Sequence, residues 1–389
     1  MSFIPTEGEL HQTMRQWRRD LHAHPETAFE EHRTAAKVAE LLTSFGLNVT
    51  TGIAETGVVA TLKGKQEGSN TIALRADMDA LHLEELNAFD HCSKHKGKMH
   101  GCGHDGHTAM LLGATKYLAE HRNFAGSLVF IFQPAEEGEA GAKRMCEEGL
   151  FERFNIDAVY GMHNWPGLEE GHFAVHSGPV MASMDVFDIK ITGNGCHAGM
   201  PHMGVVIAGQ LITSLQSIVS RVLNPLESGV ISITKMQGGD AYNVVPDSAT
   251  LSGTCRAFSK QTQNLLEANM RQQVESLCQA YGAVGELDYR RVYPSTINDK
   301  EHSETCALVA NSLVGSVKVE RNLAPSMGAE DFAFMLEQKP GAYIWIGNGS
   351  AKDGKGLHNP YYDFNDDILA LGANFWVALT QHQLPLGTP

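Results

Sequence analysis

The alternation of apolar and polar residues along the chain predicts helices and buried strands that follow one another in turn. Apolar residues recur at helical spacing in three early stretches, residues 8–23, 30–46 and 105–121. Apolar runs with breakers at their ends predict buried strands at GVVATLKG, TIALRADMDAL, SLVFIFQP and DAVYGMHNW. Strands interleaved with helices indicate an α/β domain built on a helix-covered, mostly parallel sheet.

The pattern changes near Met184, where apolar and polar residues begin to alternate strictly. Three such strands are MDVFDIKITG, VISITKMQGG and ATLSGTCRAF, and helices are predicted over 204–221 and 261–281. The order strand, helix, strand, strand, helix, strand is that of a ferredoxin-like α+β unit. After about residue 294 the chain returns to helices and buried strands such as AYIWIGNG. We therefore expect a discontinuous catalytic domain, 1–183 plus 295–389, with an inserted lid domain, 184–294.

The composition of the chain excludes some classes of binding partner and indicates a cellular compartment. The 389 residues carry a formal charge of −15, which argues against nucleic acid and anionic membranes as partners. We find no uninterrupted apolar stretch of about 18 residues and expect no membrane span. The N-terminus lacks the apolar segment of a secretory signal. The seven cysteines are scattered without a CxxC pair, so a reducing compartment, and hence a cytoplasmic location, is predicted.

Charged residues near the end of the first predicted helix are expected on the surface. Arg18 and Arg19 are interpreted as an ordinary solvated pair, and His22 and His24 as surface histidines.

The segment MHGCGHDGHTAM, residues 99–110, has the composition of a metal-binding loop. Cys102 and His104 are two residues apart, so in an extended loop both side chains can reach one ion. Thiolate and imidazole together suit zinc, cobalt, nickel or manganese better than magnesium or calcium. The alternative is a glycine-rich turn with solvated histidines.

Further candidate ligands follow predicted strands. Glu136 and Glu137 come directly after SLVFIFQPA, at a strand end where α/β sheets bind ligands. Adjacent side chains diverge, so one carboxylate can hold metal while the other takes a proton from water. His163 ends another apolar strand, and His358 lies in a loop past the probable last strand. Each of these alone could equally be a solvated or structural side chain, so the hypothesis depends on their combination.

Nine motifs in order resemble one group of metallopeptidase-fold amidohydrolases over nearly the whole chain. The motifs are RRDLHAHPE, LRADMDAL, MHGCGHDGHTAMLLGA, QPAEEG, GMHNWPG, CHAGMPH, NVVPDSATLSGTCRAF, PSMGAEDFAFML and LHNPYYDFND. The group includes hippurate hydrolases, aminoacylases, N-acetyl-diaminopimelate deacetylases and plant hydrolases of auxin–amino acid conjugates.

This resemblance implies roles for individual residues. The implied ligands of two divalent metal ions, Zn²⁺ or Mn²⁺ with Co²⁺ or Ni²⁺ as alternatives, are Cys102, His104, Glu137, His163 and His358. Glu136 is implied as the general base, with Asp77 beside the metals. The inserted lid would dimerise, giving a homodimer or dimer-based oligomer, and His197 would stabilise the oxyanion, reaching a neighbouring subunit's site. Asn243 and Arg256 would lie near the carboxylate of a small N-acyl amino acid substrate.

One departure bears on the metal site. Broader relatives with two zinc ions have His-x-Asp where this chain has Arg75-Ala-Asp77, so Arg75 removes a ligand. Cys102 is interpreted as the compensating ligand that bridges the two metals.

Other functions remain as alternatives to hydrolysis of N-acyl amino acids. A small dipeptidase or aminopeptidase would use the same fold. A hydrolase with Cys102 as nucleophile would resist chelators. A nucleotide-binding protein is suggested by GNGCHAG, although its glycine spacing departs from GxGxxG. A catalytically silent metal-binding protein completes the alternatives.

Overall fold

The chain divides into two units, which the computed structural model describes over residues 3–200, 204–351 and 354–387. The first unit comprises Met1–Gly178, Ile297–Ala324 and Asp331–Pro389. The second comprises Pro179–Thr296 and Pro325–Glu330.

The elements follow one another in a largely alternating order. Those before the second unit are α1 (Glu9–Ala23), α2 (His32–Ser44), β1 (Asn48–Ile53), β2 (Gly57–Lys63), β3 (Gln66–Asp77), α3 (His104–His121), β4 (Ala125–Gln133), α4 (Gly141–Glu147), α5 (Leu150–Phe154), β5 (Ala158–Trp165), β6 (Phe173–Ala174) and β7 (Gly178–Met181). Those of the second unit are β8 (Met184–Thr192), β9 (Cys196–His197), α6 (Gly204–Ser217) with the π-helical turn Ile218–Val222, β10 (Gly229–Gln237), β11 (Val244–Val245), β12 (Ser248–Ala257), α7 (Lys260–Ala280) and β13 (Val284–Tyr293). The chain ends with β14 (Thr296–Asn298), α8 (Lys300–Val314), β15 (Val319–Glu320), α9 (Ala333–Leu336), β16 (Gly341–Gly347) and α10 (Leu369–Gln383).

An eight-stranded sheet runs through the first unit in the order β1-β2-β4-β3-β5-β16-β6-β15. Its four central strands, β4, β3, β5 and β16, are parallel. Strands β4, β5 and β16 are buried along almost their whole length, as in a sheet covered on both faces, and in β3 residues 71–77 are buried. Parallel strands end at one edge, and side chains that follow them are brought together there.

The core on one face of the sheet joins strands and helices into a single cluster. Leu74, Phe130, Tyr160 and Ile344 come from the four central strands and pack with buried residues of α1, α2, α3, α8 and α10. Helices α1 and α3 approach so closely that a Cβ on Gly113 would lie 1.9 Å from the sulfur of Met14. The predicted α/β architecture with a helix-covered, mostly parallel sheet is confirmed.

The second unit is a ferredoxin-like α+β fold, as predicted. Its four-stranded antiparallel sheet has the order β10-β12-β8-β13. Strand β8 alternates strictly, with Phe187, Ile189 and Ile191 buried and Asp188 and Lys190 exposed. The buried side chains form one core with the apolar faces of α6 and α7.

Within the described residues, one helical stretch has the length and apolar composition of a membrane-spanning helix. It is Gly204–Val222, with a mean hydropathy of 1.4. The stretch contains no long uninterrupted apolar run, because polar residues such as Gln210 and Ser214 interrupt it. For that reason the sequence pattern did not indicate it as a candidate span. Its buried residues Ile207, Leu211 and Leu215 belong to the core of the second unit.

Two surface assignments on the first helix are wrong. Arg18 is completely buried and donates to Asp105 at 2.8 Å, and it also pairs with Asp363. His22 is likewise buried and lies 2.8 Å from the same Asp105 carboxylate. The counter-charges come from residues distant in sequence, which is why the local pattern did not show them. Arg19 and His24 are partly exposed.

Candidate metal centre

The predicted ligands of the first unit lie around the carboxyl ends of the central strands, with Cys102, Glu137 and His358 in loops, His104 at the start of α3 and His163 within β5. Cys102 and His104 flank Gly103, which adopts a left-handed backbone with φ of 96° and directly precedes helix α3. A Cβ on Gly103 would lie 2.2 Å from the side-chain oxygen of Asn164, so only glycine fits between the two candidate ligands.

The ring of His104 is oriented by Asp79. Its Nδ1 lies 2.9 Å from the backbone oxygen of Asp79 and 3.2 Å from its carboxylate, so Nδ1 carries the proton. Its Nε2 is buried and has no hydrogen-bond partner in the part of the chain that the structure describes. An imidazole held through one nitrogen by a carboxylate, with the other nitrogen free, has the arrangement of a metal ligand.

Cys102 and His163 face each other in the same cavity. The sulfur of Cys102 lies 3.4 Å from Nε2 of His163. The other ring nitrogen of His163, Nδ1, donates to the backbone oxygen of Asn164 at 2.6 Å. The donor atoms of Cys102, His104 and His163 all lie within 4.8 Å of one another.

Glu137 and His358 extend this group on the other side of Cys102. Nε2 of His358 lies 3.2 Å from Oε1 of Glu137, and this contact raises the pKa of His358. His358 adopts a left-handed backbone with φ of 62°, and its N–H donates to the backbone oxygen of Gly101. The donor atoms of Cys102, Glu137 and His358 also lie within 4.8 Å of one another. Cys102 therefore belongs to both groups of three.

Glu136 lies beside these groups and is nearly buried. Its Oε2 is 4.0 Å from Nε2 of His104, and its Oε1 lies 3.4 Å from the backbone N–H of Asp331. The loop that carries Glu136 follows β4. In this loop Ala135 and Ala140 adopt left-handed backbone conformations, which residues other than glycine rarely adopt. The N–H of Glu137 donates to the carboxylate of Asp79 at 2.9 Å. The Asp79 side chain therefore orients both His104 and the loop that carries Glu136 and Glu137.

Asp77 is committed to partners other than the candidate ligands. It lies 2.6 Å from Nδ1 of His107 and 2.6 Å from the guanidinium of Arg75. Its nearer oxygen is 3.8 Å from Nε2 of His104. Asp77 is thus next to the group, as expected, but its hydrogen bonds go to Arg75 and His107.

The electrostatics of this cavity favour bound cations. Burial raises the pKa of the Cys102 thiol, and the negative charges of Glu137, Glu136 and Asp77 raise it further. Burial lowers the pKa of His104, but Asp77, Asp79 and Glu137 outweigh it and raise the pKa to about 10. A cluster of carboxylates this dense needs positive charge, and a divalent ion would supply it while stabilising the thiolate.

His163 is prepared as a neutral ligand. Burial lowers its pKa well below the usual value, and the neighbouring His107 lowers it further. Neutral imidazole is the form that binds metal. Together with Nε2 of His104, which has no hydrogen-bond partner among the described residues, these side chains fit a site for divalent ions with sulfur, nitrogen and oxygen donors.

The remaining predicted residues belong to the second unit. His197 is exposed on β9, and its Nδ1 accepts the N–H of Gly199 at 3.0 Å. Asn243 is exposed, and its backbone oxygen accepts the N–H of Ala198. The guanidinium of Arg256, on β12, is half-buried, and its Nη1 has no partner among the described residues. The last two residues of the CHAGMPH motif, 201 and 202, lie outside the described residues.

Several supporting residues were not assigned from the sequence. They are Asp79, His107, Asn164, Asp331 and Tyr362. His107 lies 2.7 Å from the Asn164 side chain, which in turn lies 2.6 Å from the Tyr362 hydroxyl. Asp331 accepts from Gln133 and from the N–H of Ala142. All five stand in or beside motifs already recognised, so those motifs were the available signal.

The chain is similar to known proteins over almost its whole length. The model of the peptidase family M20/M25/M40 matches residues 73–382. The chain is 41% identical over 382 residues to a hippurate hydrolase from Campylobacter jejuni, covering 97% of this chain and 98% of that protein. It is 37% identical over 375 residues to an N-acetylcysteine deacetylase from Bacillus subtilis, covering 95% and 96%. A crystal structure described as a dinuclear metal-binding peptidase of the M20 family, from Bacillus subtilis, superposes with a TM-score of 0.85 at 35% identity and covers 96% of this chain and 98% of that one.

Proposed function

The chain belongs to the peptidase family M20/M25/M40 and is a hydrolase that acts on amides, and from that premise we propose that it cleaves the amide bond of N-acylated amino acids. The hippurate hydrolase and the N-acetylcysteine deacetylase named above support this substrate class, because each matches almost the whole chain. The observation that carries the proposal is the convergence of five separated donor residues beside the carboxylate of Glu136.

Two divalent ions complete the proposed site, with Cys102, His104, Glu137, His163 and His358 as their ligands. Two groups of three donors share Cys102, which supports two ion positions that Cys102 would help to hold. Zn²⁺ or Mn²⁺ is the proposed metal, with Co²⁺ or Ni²⁺ as alternatives, because the donors combine sulfur, nitrogen and oxygen. The relative whose structure is described as dinuclear supports the number of ions.

Glu136 serves as the general base in this proposal. When bound, the divalent ions lower the pKa of a coordinated water and polarise the amide carbonyl. The Glu136 carboxylate accepts the proton of the attacking water and then transfers it to the leaving amine. The Asp331 N–H near its Oε1 and the packing of its loop fix the direction of this carboxylate. Asp77 keeps His107 and Arg75 in place beside the ligands.

The proposal also assigns roles to three residues of the second unit. His197 stabilises the oxyanion, and Asn243 and Arg256 bind the substrate's carboxylate. Burial lowers the pKa of Arg256, and its unpartnered Nη1 supports a role in binding an anion. The domain assignment is part of the same proposal, with residues 1–183 and 295–389 catalytic and 184–294 a lid through which two chains associate. The seven free cysteines support action in the reducing cytoplasm.

The experiment that tests the proposal combines elemental analysis with an assay on the same protein sample. Purified protein would be analysed for metal and tested on hippurate, acetylated amino acids and dipeptides, before and after chelation. Loss of activity on chelation, with recovery on adding a divalent ion, is expected. Activity that survives chelation but is lost on alkylation would contradict the proposal and favour a hydrolase that uses Cys102 as its nucleophile. Preference for dipeptides over every N-acyl amino acid would make the chain a peptidase.

A further inference from the structure

We propose that Glu31 is a positioning residue that holds the peptide of Ala135 in its left-handed conformation and thereby aims the Glu136 carboxylate. This inference rests on the proposed role of Glu136 as the general base. Glu31 lies at the start of helix α2, more than a hundred residues before Glu136, and it is neither a candidate ligand nor part of the substrate site.

Both oxygens of the Glu31 carboxylate are committed to hydrogen bonds inside the protein. The side chain is completely buried. Its Oε1 accepts the backbone N–H of Ala135 at 2.9 Å. Its Oε2 accepts the hydroxyl of Thr56, in the turn between β1 and β2, at 2.6 Å. Glu31 therefore ties the loop after β4 to a turn elsewhere in the same unit.

The residue held in this way has an unfavourable backbone conformation. Ala135 has φ of 55°, a region that residues with a Cβ rarely adopt. Its own carbonyl accepts the N–H of Gly141 at 2.9 Å. Both polar groups of Ala135 are thus fixed, and burial of the residue leaves no water to replace them. Without the acceptor on Glu31, the buried N–H would be unpaired and the left-handed conformation would lose its support.

The direction of Glu136 depends on that conformation because the two residues are adjacent. A change of Ala135 from the left-handed to a right-handed or extended backbone would turn the next Cα–Cβ bond away from its present course. Glu137 would be affected less, since its N–H is held separately by Asp79. We therefore expect loss of the Glu31 acceptor to impair proton transfer more than metal binding.

The central experiment compares metal-loaded Glu31→Leu and Glu31→Gln with the wild type. Glutamine keeps an acceptor for Ala135, while its amide can donate to a rotated Thr56 hydroxyl. We expect Glu31→Leu to lower kcat by about 10- to 100-fold, with KM within about twofold and metal content unchanged. Glu31→Gln should retain kcat within about threefold. Thr56→Val is the matched control, because it removes the other hydrogen bond of the same carboxylate and should leave kcat unchanged.

A second measurement links the effect to the backbone of Ala135. Glycine adopts the left-handed region freely, so Ala135→Gly added to Glu31→Leu should recover part of the lost kcat. A crystal structure of Glu31→Leu should show Ala135 outside the left-handed region and the Glu136 carboxylate displaced. If Glu31→Leu does not fold, the double variant Glu31→Met with Thr56→Val takes its place in the experiment. This variant removes the Glu31 carboxylate and the Thr56 hydroxyl together, so neither is left buried without the other.

Three results would overturn the inference. One is an unchanged Ala135 backbone in the crystal structure of the Glu31 variant, which requires no substrate. Another is a loss of metal that accounts for the loss of activity, and the third is equal impairment by Glu31→Gln and Glu31→Leu. Failure of the proposed function is distinguishable, because Glu136→Gln would then retain full activity. Full kcat in Glu31→Leu beside an inactive Glu136→Gln would refute the role of Glu31 alone.

Discussion

The guanidinium of Arg75 lies 2.6 Å from the carboxylate of Asp77, two residues further along the same buried strand. Neither side chain is exposed to solvent. The same guanidinium reaches Asp331 at 3.2 Å and Gln133 at 2.8 Å. Arg75 thus places a fixed positive charge between two buried carboxylates. Arg75 is therefore a buried counter-ion of this cluster and not a candidate metal ligand.

Replacement of Arg75 by Met should destabilise the protein strongly. The change leaves Asp77 and Asp331 buried without their shared counter-charge, which typically costs about 3–5 kcal/mol. We expect the free energy of unfolding in urea to fall by that amount. Arg290→Met is the control, since Arg290 forms exposed pairs with Asp188 and Asp288 and should have little effect. Equal stability of the two variants would show that Arg75 is not the counter-ion of this cluster.

Replacement of Glu136 by Gln should abolish most of the activity while leaving the metal bound. Glutamine preserves the shape of the side chain but cannot accept the proton of the attacking water. We expect kcat to fall by at least about 100-fold and metal content to match the wild type. Glu139→Gln changes an exposed carboxylate in the same loop and should be silent. A metal-replete Glu136→Gln protein with normal turnover would remove Glu136 from the role of base.

The stability that His22 provides should disappear as the solution becomes alkaline. Burial lowers the pKa of His22, but the pairs with Asp105 and Glu85 outweigh it and raise the pKa to about 9, from 6.5. Because the folded state binds this proton more tightly, the contribution is full below pH 6.5 and is lost as the pH rises through about 9. Its size is on the order of 3 kcal/mol.

Unfolding free energies measured from pH 6 to pH 10 would test this expectation. The difference between the wild type and His22→Gln should shrink across that range. His121→Gln, which changes an exposed histidine at the end of α3, should give a difference that does not depend on pH in the same way. A difference for His22→Gln that stays constant would show that His22 is not protonated in the folded protein.

Gly103→Ala should disrupt the metal site, whereas Gly46→Ala should not. Both glycines have positive φ, so alanine at either position costs about 1–2 kcal/mol in backbone strain. A Cβ on Gly46 meets nothing within 4 Å, but one on Gly103 collides with Asn164 and Tyr362. We expect metal content to fall only in Gly103→Ala. Equal metal content in the two variants would show that the loop can accommodate the Cβ.

Local sequence patterns predicted the fold because strand and helix periodicities are unambiguous where burial is complete. Residues 71–77 of β3 are buried throughout, whereas buried and exposed residues alternate along β8, which separates the two kinds of sheet. The sequence could also predict that the candidate ligands lie close together, for a similar reason. Glu137 and His163 lie at the ends of parallel strands or just beyond them, and topology alone brings such residues to one edge.

Buried ion pairs were not predictable in the same way. Arg18 and His22 lie on the buried side of α1, yet their charges made a surface location the natural interpretation. Their partners Asp105 and Asp363 are 87 and 345 residues away from Arg18 in the chain. The cost of burying a charge is offset only when such a partner is in place, and no local pattern reports that partner.

The order of the chain has a consequence for how the centre is assembled during synthesis. His163 is made before the second unit, while His358 and strand β16, which pairs with β5, are made after it. A nascent chain that has reached residue 296 therefore lacks both a central strand and a candidate ligand. The apolar edge of β5 stays unpaired until β16 has been synthesised, which leaves an interval in which chaperones can act.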